Sequence, residues 1–202
     1  HCVGAMPRRW STLLSKHRLL CIAATSVPED IGMLERHLAL GLDMVHNMQQ
    51  QYRIDPSMIY VSGQSGRDNG IVPASILAFH YPDVFKGAIF VNGAACWEDV
   101  RDEESGTRWD AAIPEPSTKT LEALKTGGRY AFLVGKPHDD RLKVATMVET
   151  FFRPRLGHVH CTEITLHSTP DTFWSAKVFD DLVGDTPPAD TAGGEAEAEP
   201  LT

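Results

Sequence analysis

The chain has 202 residues, of which 42% are hydrophobic, 23% charged and 8% aromatic, the arithmetic of one domain able to bury its own core. No apolar run reaches the roughly 18–20 residues that cross a bilayer, which excludes a helical membrane span. The net charge of −8 argues against a general nucleic-acid binder.

The first apolar run, 19–24, predicts a strand. Ile31, Leu34, Leu38, Leu42, Val45 and Met48 then recur at steps of three and four, which predicts a helix, and Glu29 and Asp30 suit its positive end. Asp55-Pro56-Ser57 breaks the chain before a strand over 58–61. A turn from Ser62 to Gly66 leads to a helix from about Pro73 to His80, closed by Tyr81-Pro82-Asp83, and 88–91 is the third strand. Residues 94–120 are polar and irregular and read as a loop or cap. Beyond them come helix 118–125, strand 130–134, helix 141–152, strand 159–166 and helix 171–183.

Short apolar runs alternating with helical periods define an α/β fold: a mostly parallel sheet with helices on both faces. The expected organisation is a domain over 1–183 and an acidic, disordered tail over 184–202. That tail holds Asp185, Asp190, Glu195, Glu197 and Glu199 and no Lys or Arg.

Cys2, Cys21, Cys96 and Cys161 lie far apart with no C-x-x-C pair, so they spell neither a zinc site nor a redox motif. They read as small buried hydrophobes, with one disulfide open to an exported protein. Compartment stays open between cytoplasmic and exported. His158 and His160 share a strand face but have no third ligand at metal spacing, and a structural role is favoured. No metal and no cofactor is expected.

The most informative stretch is Ile59-Tyr60-Val61-Ser62-Gly63-Gln64-Ser65-Gly66: a strand entering a Gly-x-Ser-Gly turn that precedes a helix. A serine on such a turn projects its hydroxyl above the strand ends, and the next N–H points at a developing oxyanion. Gly63 and Gly66 supply the small neighbours that a crowded turn needs. Arg67 stands where G-x-S-x-G has its last glycine. Taken alone, the turn reads equally well as a glycine-rich loop.

Residues 52–66, with Asp55-Pro56 and Ile59-Tyr60-Val61, and residues 77–87, with Tyr81-Pro82-Asp83-Val84-Phe85, together resemble bacterial α/β-hydrolase esterases related to polyhydroxybutyrate depolymerases and feruloyl esterases. Weaker likeness extends from His1 to Leu182. The resemblance implies an α/β-hydrolase fold and cleavage of carboxylic esters through an acyl-enzyme, with Ser65 as nucleophile. It implies His167 as base, since His167 follows the last strand and has Pro170 three on and Trp174 seven on. The acid is expected after strand 130–134, where His138 holds the usual place and Asp139 or Asp140 would substitute; Asp140 equally suits a helix N-cap. Asp99 and Glu98 stand in reserve.

The oxyanion hole would combine the N–H of Gly66 with that of Cys2 or Val3, in a His1-Cys2-Val3-Gly4 loop similar to the family's His-Gly-x-Gly. Gln64, Trp97 and Trp109 are the candidate substrate-binding residues, and the partner is a small-molecule or polymer ester. Two departures stand out. Arg67-Asp68-Asn69 forms an insertion before Gly70, and the family strand ahead of the His-Gly loop has no counterpart in this sequence. The second departure reads as a truncated domain with two unpaired strand edges. A hydrolase-like protein without activity, acting as a binding or structural module, is the competing expectation.

Overall fold

The computed structural model describes residues 14–23, 33–64, 70–103, 106–136, 140–165, 180 and 182. Helix α1 spans Met33–Gln51. Asp55 then caps a single 3-10 turn, Pro56–Met58, accepting the Ser57 N–H at 2.8 Å and the Ser57 hydroxyl at 2.7 Å. That turn consumes the first residue of the expected strand, and β1 runs over Tyr60–Gln64. Helix α2 follows over Val72–His80, with Pro73 in its first turn, where a missing N–H costs nothing. Strand β2 is Gly87–Val91. A two-residue antiparallel pair, β3 (Val100–Arg101) with β4 (Arg108–Trp109), interrupts the stretch expected to be irregular.

Helix α3 spans Thr118–Gly127, with Ser117 as its N-cap accepting the Thr120 N–H. Strand β5, Arg129–Lys136, leads to helix α4, Asp140–Met147. One wide turn, Val148–Phe152, extends α4 before β6, His158–Thr165. The main sheet has the order β1-β2-β5-β6, and all three pairs are parallel. Each neighbouring pair is joined by a segment containing a helix, as parallel pairing requires.

Side chains alternate between the two faces with period two. Ala88, Phe90, Tyr130, Phe132 and Val134 join the larger core, with α2, Leu124, and Val144 through Phe152. Ile89, Val91, Ala131 and Leu133 face the other way, against Leu182 and Leu19. Covered on both faces, β2 is buried along its whole length, which explains why its sequence is an unbroken apolar run. Phe79, fully buried, is the hub of the larger core. Its ring centre lies 5.2 Å from Trp97, 5.6 Å from Phe90, 5.6 Å from Phe152 and 5.7 Å from Tyr130.

The fold class is therefore α/β, with one correction in detail. The run 19–24 predicted a fifth strand, yet residues 19–23 form no strand, and Leu20 is 61% and Ile22 43% exposed. Apolar composition alone makes no strand; the backbone needs a neighbouring ladder to hold its N–H and C=O groups. Among the described residues β1 pairs only with β2. Helices α2, α3 and α4 lie on the larger-core face, while residues 180 and 182, both helical, mark the cover of the second face. Of the final helix expected over 171–183, only those two residues are described, and the 184–202 tail lies outside the described residues.

The junction of β1 with α2 admits no side chain at Gly63. A Cβ there would sit 2.6 Å from the Ala74 Cβ and 2.8 Å from the Gly70 carbonyl oxygen. Gly63→Ala should destabilise the chain by about 1–3 kcal/mol through overpacking. A urea unfolding midpoint lowered with unchanged slope checks this.

Candidate active site

In a parallel sheet the carboxyl ends of all strands lie on one edge, and ligands of open α/β sheets bind along that edge. Here the edge is marked by Gln64 of β1, Val91 of β2, Lys136 of β5 and Thr165 of β6. The register pairs Gln64 with Val91, Val91 with Leu133, and Lys136 with Thr165. Strand β1 thus extends through Ser62 and Gly63, which the sequence placed in a turn, and reaches the residue immediately before Ser65. Lys136 closes β5 three residues before Asp139, and Thr165 closes β6 two residues before His167.

Ser65, Gly66, His167, Asp139, Cys2 and Val3 themselves lie outside the described residues, as does the insertion Arg67-Asp68-Asn69. Gln64 is described as the last residue of β1 and Asp140 as the first residue of α4, each by its backbone. What the structure places on one edge is the set of strand ends after which Ser65, Asp139 and His167 come in the sequence. Three features shape that edge where it is described. The exclusion of a side chain at Gly63 seats the start of α2 directly on β1. Asn92 continues the ladder past β2 by donating its N–H to the Leu133 carbonyl at 2.8 Å. The chain then turns sharply, with Asn92 at φ +59° and Gly93 at φ +138°, left-handed values that suit Asn and Gly. The Asn-Gly pair is a recognised turn signal, and it was the sequence mark by which this exit was open to detection.

The segment leaving β2 is bonded within itself rather than irregular. The Cys96 carbonyl accepts the N–H groups of Ala112 (2.9 Å) and Ile113 (3.3 Å), and Asp102 donates to Thr107 at 2.9 Å. Asp99, a reserve acid, accepts the Ala111 N–H at 3.0 Å and pairs with Arg108 at 2.7 Å. The Ala111 bond first, and Arg108 with it, hold its carboxyl below the ordinary carboxylate range. Arg108 also meets Asp110 at 2.7 Å. Glu98, the other reserve, pairs with Arg155, whose guanidinium lies 4.4 Å from the Phe151 ring centre. Both carboxylates are thus occupied in holding the loop.

Trp97 is 6% exposed and packs at 4.7 Å from Phe151 and 5.2 Å from Phe79, within the core. Trp109, at the end of β4, is partly buried against the same core. His158 and His160 stand on the second face, at the start of β6, and with Arg129, Asp180 and Leu182 line a cleft of about 300 Å³. No group of three or more His, Cys, Asp or Glu able to hold a metal ion occurs among the described residues.

Of the thiols described, Cys21 is exposed, Cys161 half-buried and Cys96 buried. The Cys96 thiol contacts the Met147 sulfur at 3.2 Å, and burial pushes its pKa up to about 12. A thiol so placed is a packing group, since the thiolate is the reactive form.

No family model, curated protein or solved structure matches the chain. The family resemblance accordingly rests on the motifs quoted above.

Two outcomes follow from these placements. Trp97→Ala should cost about 3–5 kcal/mol of stability, as removal of a buried indole does, measured by chemical denaturation. Partial burial raises the Cys21 thiol as well, but Cys21 is exposed, so alkylation at pH 8, followed by mass spectrometry, should modify Cys21 slowly yet well ahead of Cys96. Cys96 should be spared in the folded protein and modified once denaturant exposes it.

Proposed function

We propose that the chain is a serine hydrolase that cleaves carboxylic esters through an acyl-enzyme. The single observation that carries the reading is the junction at Gly63. A parallel strand runs up to the residue before a serine and is followed by a helix packed so closely that glycine is required two positions earlier. A sharp strand-to-helix turn is what an exposed, oriented serine hydroxyl needs. The strand order supports it too: nucleophile, acid and base would follow β1, β5 and β6 on one edge, in the chain order serine, acid, histidine.

The distances are compatible with that assignment. Strands β1 and β6 are separated by three inter-strand steps, about 14 Å at the usual spacing. Two residues of chain from Thr165 span about 7 Å, and the imidazole and hydroxyl side chains contribute the rest.

In this mechanism Ser65 Oγ attacks the ester carbonyl while His167 takes its proton, then returns it to the leaving alcohol. Asp139 or Asp140 orients the imidazole and stabilises its charged form. The Gly66 N–H, with that of Cys2 or Val3, would hold the oxyanion. Water, activated by the same imidazole, releases the acid and regenerates the serine. Gln64 and Trp109 are the proposed ester-binding residues, and Trp97 belongs to the core against which Trp109 packs. The substrate is an ester, small or polymeric.

The test is turnover of p-nitrophenyl butyrate together with labelling by a fluorophosphonate. Wild type should label at Ser65, and Ser65→Ala should lose labelling and at least about 10⁴-fold in kcat. A neutral imidazole is the required form, so kcat/KM should fall as acid protonates it and level once it is neutral, as a pH–rate profile would show. Asp139→Asn and Asp140→Asn decide the acid, the true one costing up to about 10⁴-fold. A demonstrably folded sample that neither labels nor turns over would leave the non-catalytic module as the reading.

A further inference from the structure

We propose that Ser75 is a positioning residue of the esterase site, its buried hydroxyl fixing the loop that leaves β2 against the helix that follows Ser65. The inference rests on the hydrolase reading above and deepens it.

Helix α2 is buried from Val72 to Phe79, and Ser75 is the one hydroxyl-bearing residue in that run, with no exposed surface. A hydroxyl taken out of water without a partner is costly, and an alanine would fill most of the same space. The Ser75 Oγ is used: it accepts the Ala95 N–H at 3.0 Å. Ala95 sits just past the left-handed pair Asn92-Gly93, where the chain has left the ladder and no strand neighbour serves its N–H.

The exit loop is therefore pinned twice, to β5 through Asn92 and the Leu133 carbonyl, and to α2 through Ala95 and Ser75. The second pin lies one residue from Ala74, which abuts Gly63, itself two residues before Ser65. A shift of Ala95 and a shift of the serine turn thus share one lever, the first turn and a half of α2. Because Gln64 and Val91 are register partners, this loop also leaves the sheet directly beside the strand that delivers Ser65. Small displacements at such a point cost far more rate than binding when reacting groups must align.

The experiment compares the full-length wild type with Ser75→Ala and with Val159→Ala, which trims the same core from β6, away from the turn. Each is assayed for kcat and KM on p-nitrophenyl butyrate, fluorophosphonate labelling rate, and amide exchange at Ala95. Ser75→Ala should speed exchange at Ala95 and lower kcat and labelling by about 10-fold or more, with KM within about twofold. Val159→Ala should keep wild-type kcat. Should Ser75→Ala fail to fold, Ser75→Cys, which keeps the shape and weakens the acceptor, serves in its place. Wild-type kcat in a folded Ser75 variant, or an equal loss in Val159→Ala, overturns the positioning role. A wild type that neither labels nor turns over instead overturns the hydrolase reading itself, and the positioning role with it.

Discussion

The seating of α2 on β1 is the constraint around which the rest is arranged. Gly63 leaves room for Ala74 and the Gly70 carbonyl, so the helix approaches the strand at backbone distance. That approach carries Phe79 into the middle of the sheet face, where four aromatic rings surround it. Edge and tilted ring contacts of this kind add to the gain from burial and hold one relative orientation of helix and sheet. A looser junction would leave a void at Phe79, and well-packed interiors tolerate voids poorly. Close approach at one glycine and a filled aromatic core two turns along are thus a single packing solution.

Strand β2 meets the same logic on its other side. A Cβ at Gly87 would lie 1.7 Å from the Arg129 carbonyl oxygen, so the start of β2 and the start of β5 also touch at backbone distance. Lys86 links three strands there, donating its N–H to Ile59 and accepting from Arg129. Gly87 lets β2 and β5 close on each other at the amino edge of the sheet, and Gly63 lets α2 close on β1 near the carboxyl edge. Between them the paired faces of β2 and β5 are almost wholly apolar.

The second face is closed by chain-distant polar contacts rather than by rings. The Leu182 carbonyl accepts from the Tyr60 hydroxyl at 3.1 Å and from the Arg129 guanidinium at 2.9 Å, while its side chain is 3% exposed against the sheet. Asp180 meets Lys16 at 2.8 Å and His17 at 3.0 Å. The exposed Lys16–Asp180 pair adds little by itself. The bonds to Leu182 count for more, because a buried carbonyl without partners is costly. Residues from both ends of the described chain therefore meet over the same patch of sheet.

The α/β class and the succession of helices and strands from α1 to β6, apart from the short β3–β4 pair, were legible in the sequence, as was the strand that ends just before Ser65, since periodicity and breakers are local properties of a chain. Asp55-Pro56-Ser57 announced a break, and Pro73 marked the first turn of its helix, for reasons that need no distant residue. The Ser65, His167 and Asp139 or Asp140 assignment was likewise a reading of motifs. Tertiary structure decided what depended on neighbours: that 19–23 lacks a ladder and is no strand, that Trp97 sits among phenylalanines, and that Ser75 finds its partner 20 residues away at Ala95. Burial, and the pairing of polar groups across the fold, are properties of the assembled chain. No window of sequence contains them.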